Sequence, residues 1–127
     1  MSPTEALAEF WTERHLCTLA TIRRDGTLHV VPVGATYDPE TGVARVITSG
    51  TSQKVRNIRN NGLVALTQVD GRRWSTLEGT AVVETSPDVI RDAEERYARR
   101  YKIPRVNPAR VVIVITVSRV LGTYRPD

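Results

Sequence analysis

Thiols are nearly absent from this chain. Cys17 is the only cysteine among 127 residues, which excludes an internal disulfide and a thiolate metal cluster. Cys17 sits in the strand-like run Leu16-Cys17-Thr18-Leu19-Ala20-Thr21 and reads as a small buried hydrophobe. Histidine is almost as scarce, with His15 and His29 alone. No Ser/His/Asp elbow and no His/Cys/carboxylate metal spacing can be assembled from them, so the expected metal set is none. No glycine-rich dinucleotide fingerprint and no P-loop is present. There is also no long apolar run and no signal segment, so the expectation is a soluble, cytoplasmic chain without a membrane role. An enzyme with so few acid–base groups would borrow its reactive group from a cofactor, and no catalytic side chain stands out.

Lysine is rare too, yet the chain is basic, with a formal net charge of +4. Only Lys54 and Lys102 are lysines, and the other sixteen basic residues are arginines. Arginine grips carboxylate and phosphate bidentately. No basic run is interleaved with aromatics, so small anionic ligands are favoured over nucleic acid. The length fits one domain spanning residues 1–127, and a 40% apolar content suits a chain that shares surface with a second copy.

The local signals alternate between helix and strand. Ser2-Pro3-Thr4-Glu5 is a capping box with proline at the first helical position, and Leu7, Phe10 and Trp11 give that short helix an apolar face. Strand patterns cover 16–23, 28–37, 43–48, 63–69, 73–84 and 110–121. Asp25-Gly26 and Asp70-Gly71 are tight turns between them. Pro32 within 28–37 marks an edge, a bulge or a ligand-facing position, and Gly79 marks a bulge or a close backbone approach. A helix at about 51–60 and another from Ser86 to about Lys102 complete the set; the second carries Ile90, Ala93, Tyr97 and Tyr101 on one face. Residues 103–108 form a loop stiffened by Pro104 and Pro108. Six hairpin-connected strands and three helices predict an α+β domain built on a closed or nearly closed antiparallel barrel.

The richest stretch is Val46-Ile47-Thr48-Ser49-Gly50-Thr51-Ser52-Gln53-Lys54-Val55-Arg56-Asn57, a strand leading through small polar residues into a helix. Helix N-termini offer unpaired N–H groups and partial positive charge. With Ser52, Lys54 and Asn57 added, the start of this helix suits a phosphate. The alternative is an ordinary amphipathic helix with those residues on its wet face. Trp74, at a barrel rim, either walls a planar ligand or packs in a core or dimer interface. Arg72, Arg73, Arg105 and Arg110 are candidates to receive substrate carboxylates, with solvated surface charge as the alternative. Tyr97 and Tyr101 read as core or interface residues.

The ordered set Leu19-Ala20-Thr21-Ile22, Asp25-Gly26, His29-Val30-Val31-Pro32-Val33, Arg45-Val46-Ile47-Thr48, Ser52-Gln53-Lys54-Val55-Arg56-Asn57 and Leu77-Glu78-Gly79 resembles the split β-barrel pyridoxamine 5′-phosphate oxidase-like superfamily. Gln68-Val69-Asp70-Gly71, Trp74, Arg96-Tyr97-Ala98, Arg100-Tyr101 and Asn107-Pro108 narrow the resemblance to its coenzyme F420-dependent reductase branch, nearest to the members that reduce biliverdin. The resemblance covers about residue 5 to Gly122. It implies a six-stranded antiparallel split barrel, a homodimer with cofactor sites at the subunit interface, and F420 as cofactor, with FMN as the alternative. It further implies that Ser52, Lys54 and Asn57 anchor the cofactor phosphate and that Gln53 also binds the cofactor. Pro32 and Val33 would lie along the ring system, with Thr48 and Ser49 near its polar edge. Trp74 and the proline loop of a partner subunit would help to close the site. The acceptor would be a conjugated small molecule, most readily a tetrapyrrole such as biliverdin. Arg72, Arg73, Arg105 or Arg110 would then hold its propionates. A non-catalytic carrier of F420 or tetrapyrrole is the other reading. The paired arginine and histidine with which pyridoxamine phosphate oxidases hold substrate near the C-terminus is missing.

Overall fold

The computed structural model describes residues 1–126. Helix α1 (Pro3–Thr12) opens as its capping box requires: Ser2 Oγ accepts from the Glu5 amide at 3.1 Å while Ser2 N–H donates to Glu5 Oε1 at 3.4 Å. Strands β1 (Cys17–Ile22), β2 (Leu28–Val33), β3 (Ala35–Asp38) and β4 (Val43–Ser49) follow. After α2 (Gln53–Asn60) come β5 (Leu63–Asp70), β6 (Arg73–Glu84), α3 (Pro87–Arg100) and β7 (Arg110–Thr123). All strands belong to one antiparallel sheet in the order β2-β1-β5-β6-β7-β4-β3.

The sheet has seven strands, not six. The single strand expected over 28–37 breaks at Gly34, and its two halves pair with different neighbours: β2 with β1, β3 with β4. These halves stand at the two edges of the sheet, one residue apart in the chain. The sheet therefore curls until its edges meet at that corner. Gly34 is required there, because a Cβ would lie 2.8 Å from the Tyr97 ring. Bulging was also expected at Gly79. The β6–β7 register slips between Glu78 and Gly79, and a Cβ at Gly79 would run into the Thr116 carbonyl.

Alternation along each strand sends Leu19, Val46, Leu66, Leu77, Ile113 and Ile115 inward, where all are fully buried. Val55 and Ile58 of α2 and Leu7 and Trp11 of α1 join the same core. Trp11 Nε1 donates to the buried Ser75 Oγ at 3.0 Å, which satisfies the one polar atom of that large side chain. Cys17 is buried as expected. His15, just past the end of α1, meets the Glu13 carboxylate at 2.9 Å and packs on Phe10. No helix among the described residues is long and apolar enough to cross a membrane.

Beneath α3 lies a buried polar hub. Arg100, 7% exposed, donates to the carbonyls of Glu13 (2.8 Å) and Ala35 (2.6 Å) and to Gln68 Oε1 (2.6 Å). Tyr101 hydroxyl donates to the His15 carbonyl at 2.7 Å and accepts from the Ala35 amide at 3.1 Å. Together they fasten α3 to β1, β3, β5 and the end of α1. Burial pushes the Tyr101 phenol far above its usual range, so it acts here as a neutral hydroxyl.

Candidate functional site

Helix α2 starts where the β4 chain leaves the sheet. Its N-cap, Ser52, has extended backbone but makes no side-chain capping bond, and nothing among the described residues caps the amides of Gln53, Lys54 and Val55. Ser52 Oγ is instead approached by Thr48 Oγ1 at 3.4 Å. Behind this turn, Asn107 Nδ2 donates to Ser49 Oγ at 3.0 Å and the Gly50 amide to the Ala109 carbonyl at 2.8 Å. The result is an N-terminus held rigidly from behind and open in front, the arrangement that binds anions.

Lys54 does not lie on the wet face of α2. Residues 54, 55, 57 and 58 share the arc turned toward the barrel, and Lys54 occupies its first turn, half-buried. No ion pair or hydrogen bond reaches its ammonium among the described residues, and burial alone lowers its pKa. A partly desolvated cation without a partner favours a ligand anion. Asn57, by contrast, faces inward. It is 2% exposed, donates to Thr21 Oγ1 at 2.9 Å and accepts from Gln53 Nε2 at 2.7 Å. Its observed contacts position Gln53, whose Oε1 also accepts from Arg56 at 2.9 Å.

Lys54 opens onto a groove of about 540 Å³ whose floor is Pro32, Val33, Gly34 and Ile47. Tyr97 forms one wall, and Lys102, Pro104, Arg105 and Arg110 form the other side. The structure thus brings Pro32, Val33, Lys54, Arg105 and Arg110 together from four separate segments. Tyr97 is fixed from behind by Tyr101, with ring centroids 4.9 Å apart. Arg110 is not a free hook: it pairs with Glu94 at 2.6 Å and donates to the Arg105 carbonyl at 2.8 Å, so it clamps the loop to α3. No acidic residue among the described residues lines the groove, which leaves Lys54, Lys102 and Arg105 as a cationic set without ion pairs there. At the same end of the barrel, His29 Nδ1 is buried without a partner. Burial, then Arg23 and Lys54, holds this imidazole below the usual histidine range.

Trp74, Arg72 and Arg73 do not line the groove. They sit at the β5–β6 turn, with two strands between β6 and β2. Arg73 is engaged by Glu13 (2.9 Å) and Asp70 (2.6 Å) and lies over the Phe10 ring at 4.7 Å. Trp74 is 40% exposed on the outer face of the sheet. By strand pairing, Leu28 (68% exposed), Val30 (60%) and Val69 share that face. Sequence reasoning missed Gly34, Ile47 and Lys102, and read Tyr97 as packing only. The glycine in an otherwise strand-like run was the available signal for the corner that places Tyr97.

Comparisons with known proteins bear on the family and the fold. The pyridoxamine 5′-phosphate oxidase family profile matches residues 3–124. A Mycobacterium tuberculosis protein named F420H(2)-dependent biliverdin reductase is 56% identical over 119 residues, covering 94% of this chain and 86% of that protein. Among solved structures, a conserved hypothetical protein of Mycobacterium tuberculosis superposes with a TM-score of 0.81 at 26% identity, over 96% of this chain and 84% of the other. A structure described as an F420 reductase gives a TM-score of 0.74 at 26% identity, over 89% of this chain and 94% of the other.

Proposed function

The chain belongs to the pyridoxamine 5′-phosphate oxidase family, and from that premise we propose that it is an F420H2-dependent reductase whose acceptor is a conjugated tetrapyrrole, biliverdin foremost. The observation that carries this reading is the unpaired, half-buried Lys54 beside an uncapped helix N-terminus, at the head of an acid-free groove. The 56% identical relative named for that activity supports the choice of cofactor and acceptor.

The residues present fit a phosphorylated deazaflavin. Ser52, Lys54 and the first-turn amides of α2 would hold its phosphate, buttressed by Thr48, Ser49, Gln53 and Asn57. Pro32 and Val33 would run beneath its ring, with Tyr97 at the side. When bound, the reduced cofactor supplies a hydride. The chain supplies position: a flat apolar floor fixed by the Gly34 corner, and a wall fixed by the Tyr101 hydroxyl. Holding two planar systems in reacting register is itself a large rate factor. Lys102 and Arg105 are placed to take the acceptor's carboxylates. No histidine or carboxylate among the described residues lines the groove, so the proton for a pyrrole nitrogen would come from solvent, relayed through an arginine or water. We include a homodimer in this reading. What supports it is the apolar outer face around Leu28, Val30 and Trp74, with Ile103 (84% exposed) and Val106 (95%) on the proline loop. Across such an interface Trp74 and Arg72 would reach a groove that they do not reach within one subunit.

The test is steady-state oxidation of F420H2 against biliverdin, quinones and nitroaromatics, with F420 and FMN titrated separately. Oxidation driven by biliverdin is expected, with F420 bound more tightly than FMN. Tight F420 binding without turnover would make the protein a carrier, and tighter FMN binding would overturn the cofactor assignment.

A further inference from the structure

A second cavity, of about 220 Å³, lies beneath α3 and is separate from the Lys54 groove. Tyr97 faces the groove, while its neighbours Arg96, Arg99 and Arg100 line this cavity with Thr36, Trp11 and Tyr37. Three arginines border it, and no acidic residue among the described residues lines it.

Their charges are unequally compensated. Arg96 is tied to Asp92 at 2.9 Å and more loosely to Asp38 at 4.0 Å. Arg99 is exposed and forms no ion pair among the described residues. Arg100 is the informative one. It is buried, yet its bonds go to two carbonyls and one amide oxygen rather than to a carboxylate. Dipoles orient a buried cation without neutralising it. Thr36 Oγ1 adds a second anomaly, being buried without any hydrogen-bond partner. A buried hydroxyl left unpaired costs free energy, and Thr36 is among the residues that line the cavity. Trp11 and Tyr37, edge to face with centroids 5.8 Å apart, close the apolar side.

We propose that this cavity is a binding site for a small oxyanion, a carboxylate or phosphate group. Arg99 and Arg96 would supply charge at the mouth, Thr36 a hydroxyl donor, and Arg100 a buried positive field. A cavity of about 220 Å³ suits a compact anion. This proposal does not depend on the cofactor assignment.

The test uses the full-length protein with Lys54→Ala, which removes the competing anion cradle at α2. The probes are inorganic phosphate and acetate, each against chloride at matched ionic strength. The readout is the ¹⁵N–¹H indole resonance of Trp11, which borders the cavity, compared with that of Trp74, which does not. A saturable shift of Trp11 with phosphate, acetate or both is expected, and the stronger probe defines the anion class. Adding Arg99→Ala, an exposed change that spares the core, should weaken binding about fivefold or more, the upper range for a solvated charge pair. Thr36→Val should weaken it as well. No saturable Trp11 shift, or an unchanged affinity in Arg99→Ala, would overturn the proposal.

Discussion

Two cations in this molecule show opposite logic. Arg100 sits in the core with its neighbours saturated by Glu13, Ala35 and Gln68. Lys54 sits half-buried with no partner at all among the described residues. Burial of charge is costly in both places. At Arg100 the chain offsets the lost hydration with its own neutral acceptors, so the side chain becomes scaffolding that ties four elements together while its net charge still acts on the cavity beside it. At Lys54 the chain leaves the cost standing, and only a ligand can relieve it. The difference separates what holds this fold from what the fold is for.

The comparison breaks most visibly at Arg100. Arg100→Met removes the donor and strands the buried oxygens of Glu13, Ala35 and Gln68, which should cost about 3–5 kcal/mol of unfolding free energy. Arg100→Lys should recover little, because one ammonium cannot span acceptors on three different segments. Urea unfolding monitored by circular dichroism measures both. A loss under about 1 kcal/mol in Arg100→Met would show that the hub is not scaffolding.

Lys54→Ala should do the reverse. It leaves stability unchanged or slightly higher, and weakens F420 binding by about 1.5–3 kcal/mol, the range for a charged hydrogen bond. The same residue predicts a pH dependence. Burial lowers its pKa below the ordinary 10.5, so the unfolded chain holds that proton more tightly. Carrying the charge therefore costs stability below the folded pKa, and stability rises as pH climbs from there toward 10.5. Phosphate binding prefers the charged form, so F420 affinity falls across that same window. Both trends should vanish in Lys54→Ala. A fluorescence titration across alkaline pH that is identical in the two proteins would remove Lys54 from the site.

Between these extremes stands the groove wall. Gly34→Ala places a Cβ 2.8 Å from the Tyr97 ring, so the ring must move or the β2–β3 corner must open. Overpacking of this kind costs about 1–3 kcal/mol. If Tyr97 positions the acceptor, kcat should fall together with stability. Loss of stability at unchanged kcat would assign the tyrosine pair to scaffolding, as the sequence alone suggested.

These residues also show what the sequence could carry. Caps, turns and strand alternation are local, and they placed α1, α3, the Asp-Gly turns and most of the strands. Those strands already suggested a barrel, and the family likeness, spread over the whole chain, made it a split barrel. Features made by distant contacts were not legible. The break at Gly34 depends on strands pairing at opposite edges of the sheet. Arg100 looks like its arginine neighbours until α3 packs against β1 and β5. Asn57 has the spacing of a phosphate ligand, but the arc that buries Val55 and Ile58 takes it inward with them.

Arg73 gives the smallest and most discriminating effect. It was a candidate for the acceptor's carboxylates, yet it pairs with Glu13 and Asp70 and lies over Phe10, which puts it on the side of Arg100. The pairs are part-exposed, so Arg73→Ala should cost only about 0.2–1 kcal/mol. Its hydrogen bond to Glu13, with His15 second, holds that carboxyl below its usual 4.5. A lowered carboxylate pKa stabilises the fold above the unfolded value and is lost as pH falls through the folded one. The wild-type advantage over Arg73→Ala should therefore shrink in acid, while the KM for biliverdin stays unchanged. A raised KM at constant kcat and constant stability would mean that uniform substrate binding was lost. Arg73 would then belong with Lys54, as a charge that serves the ligand rather than the fold.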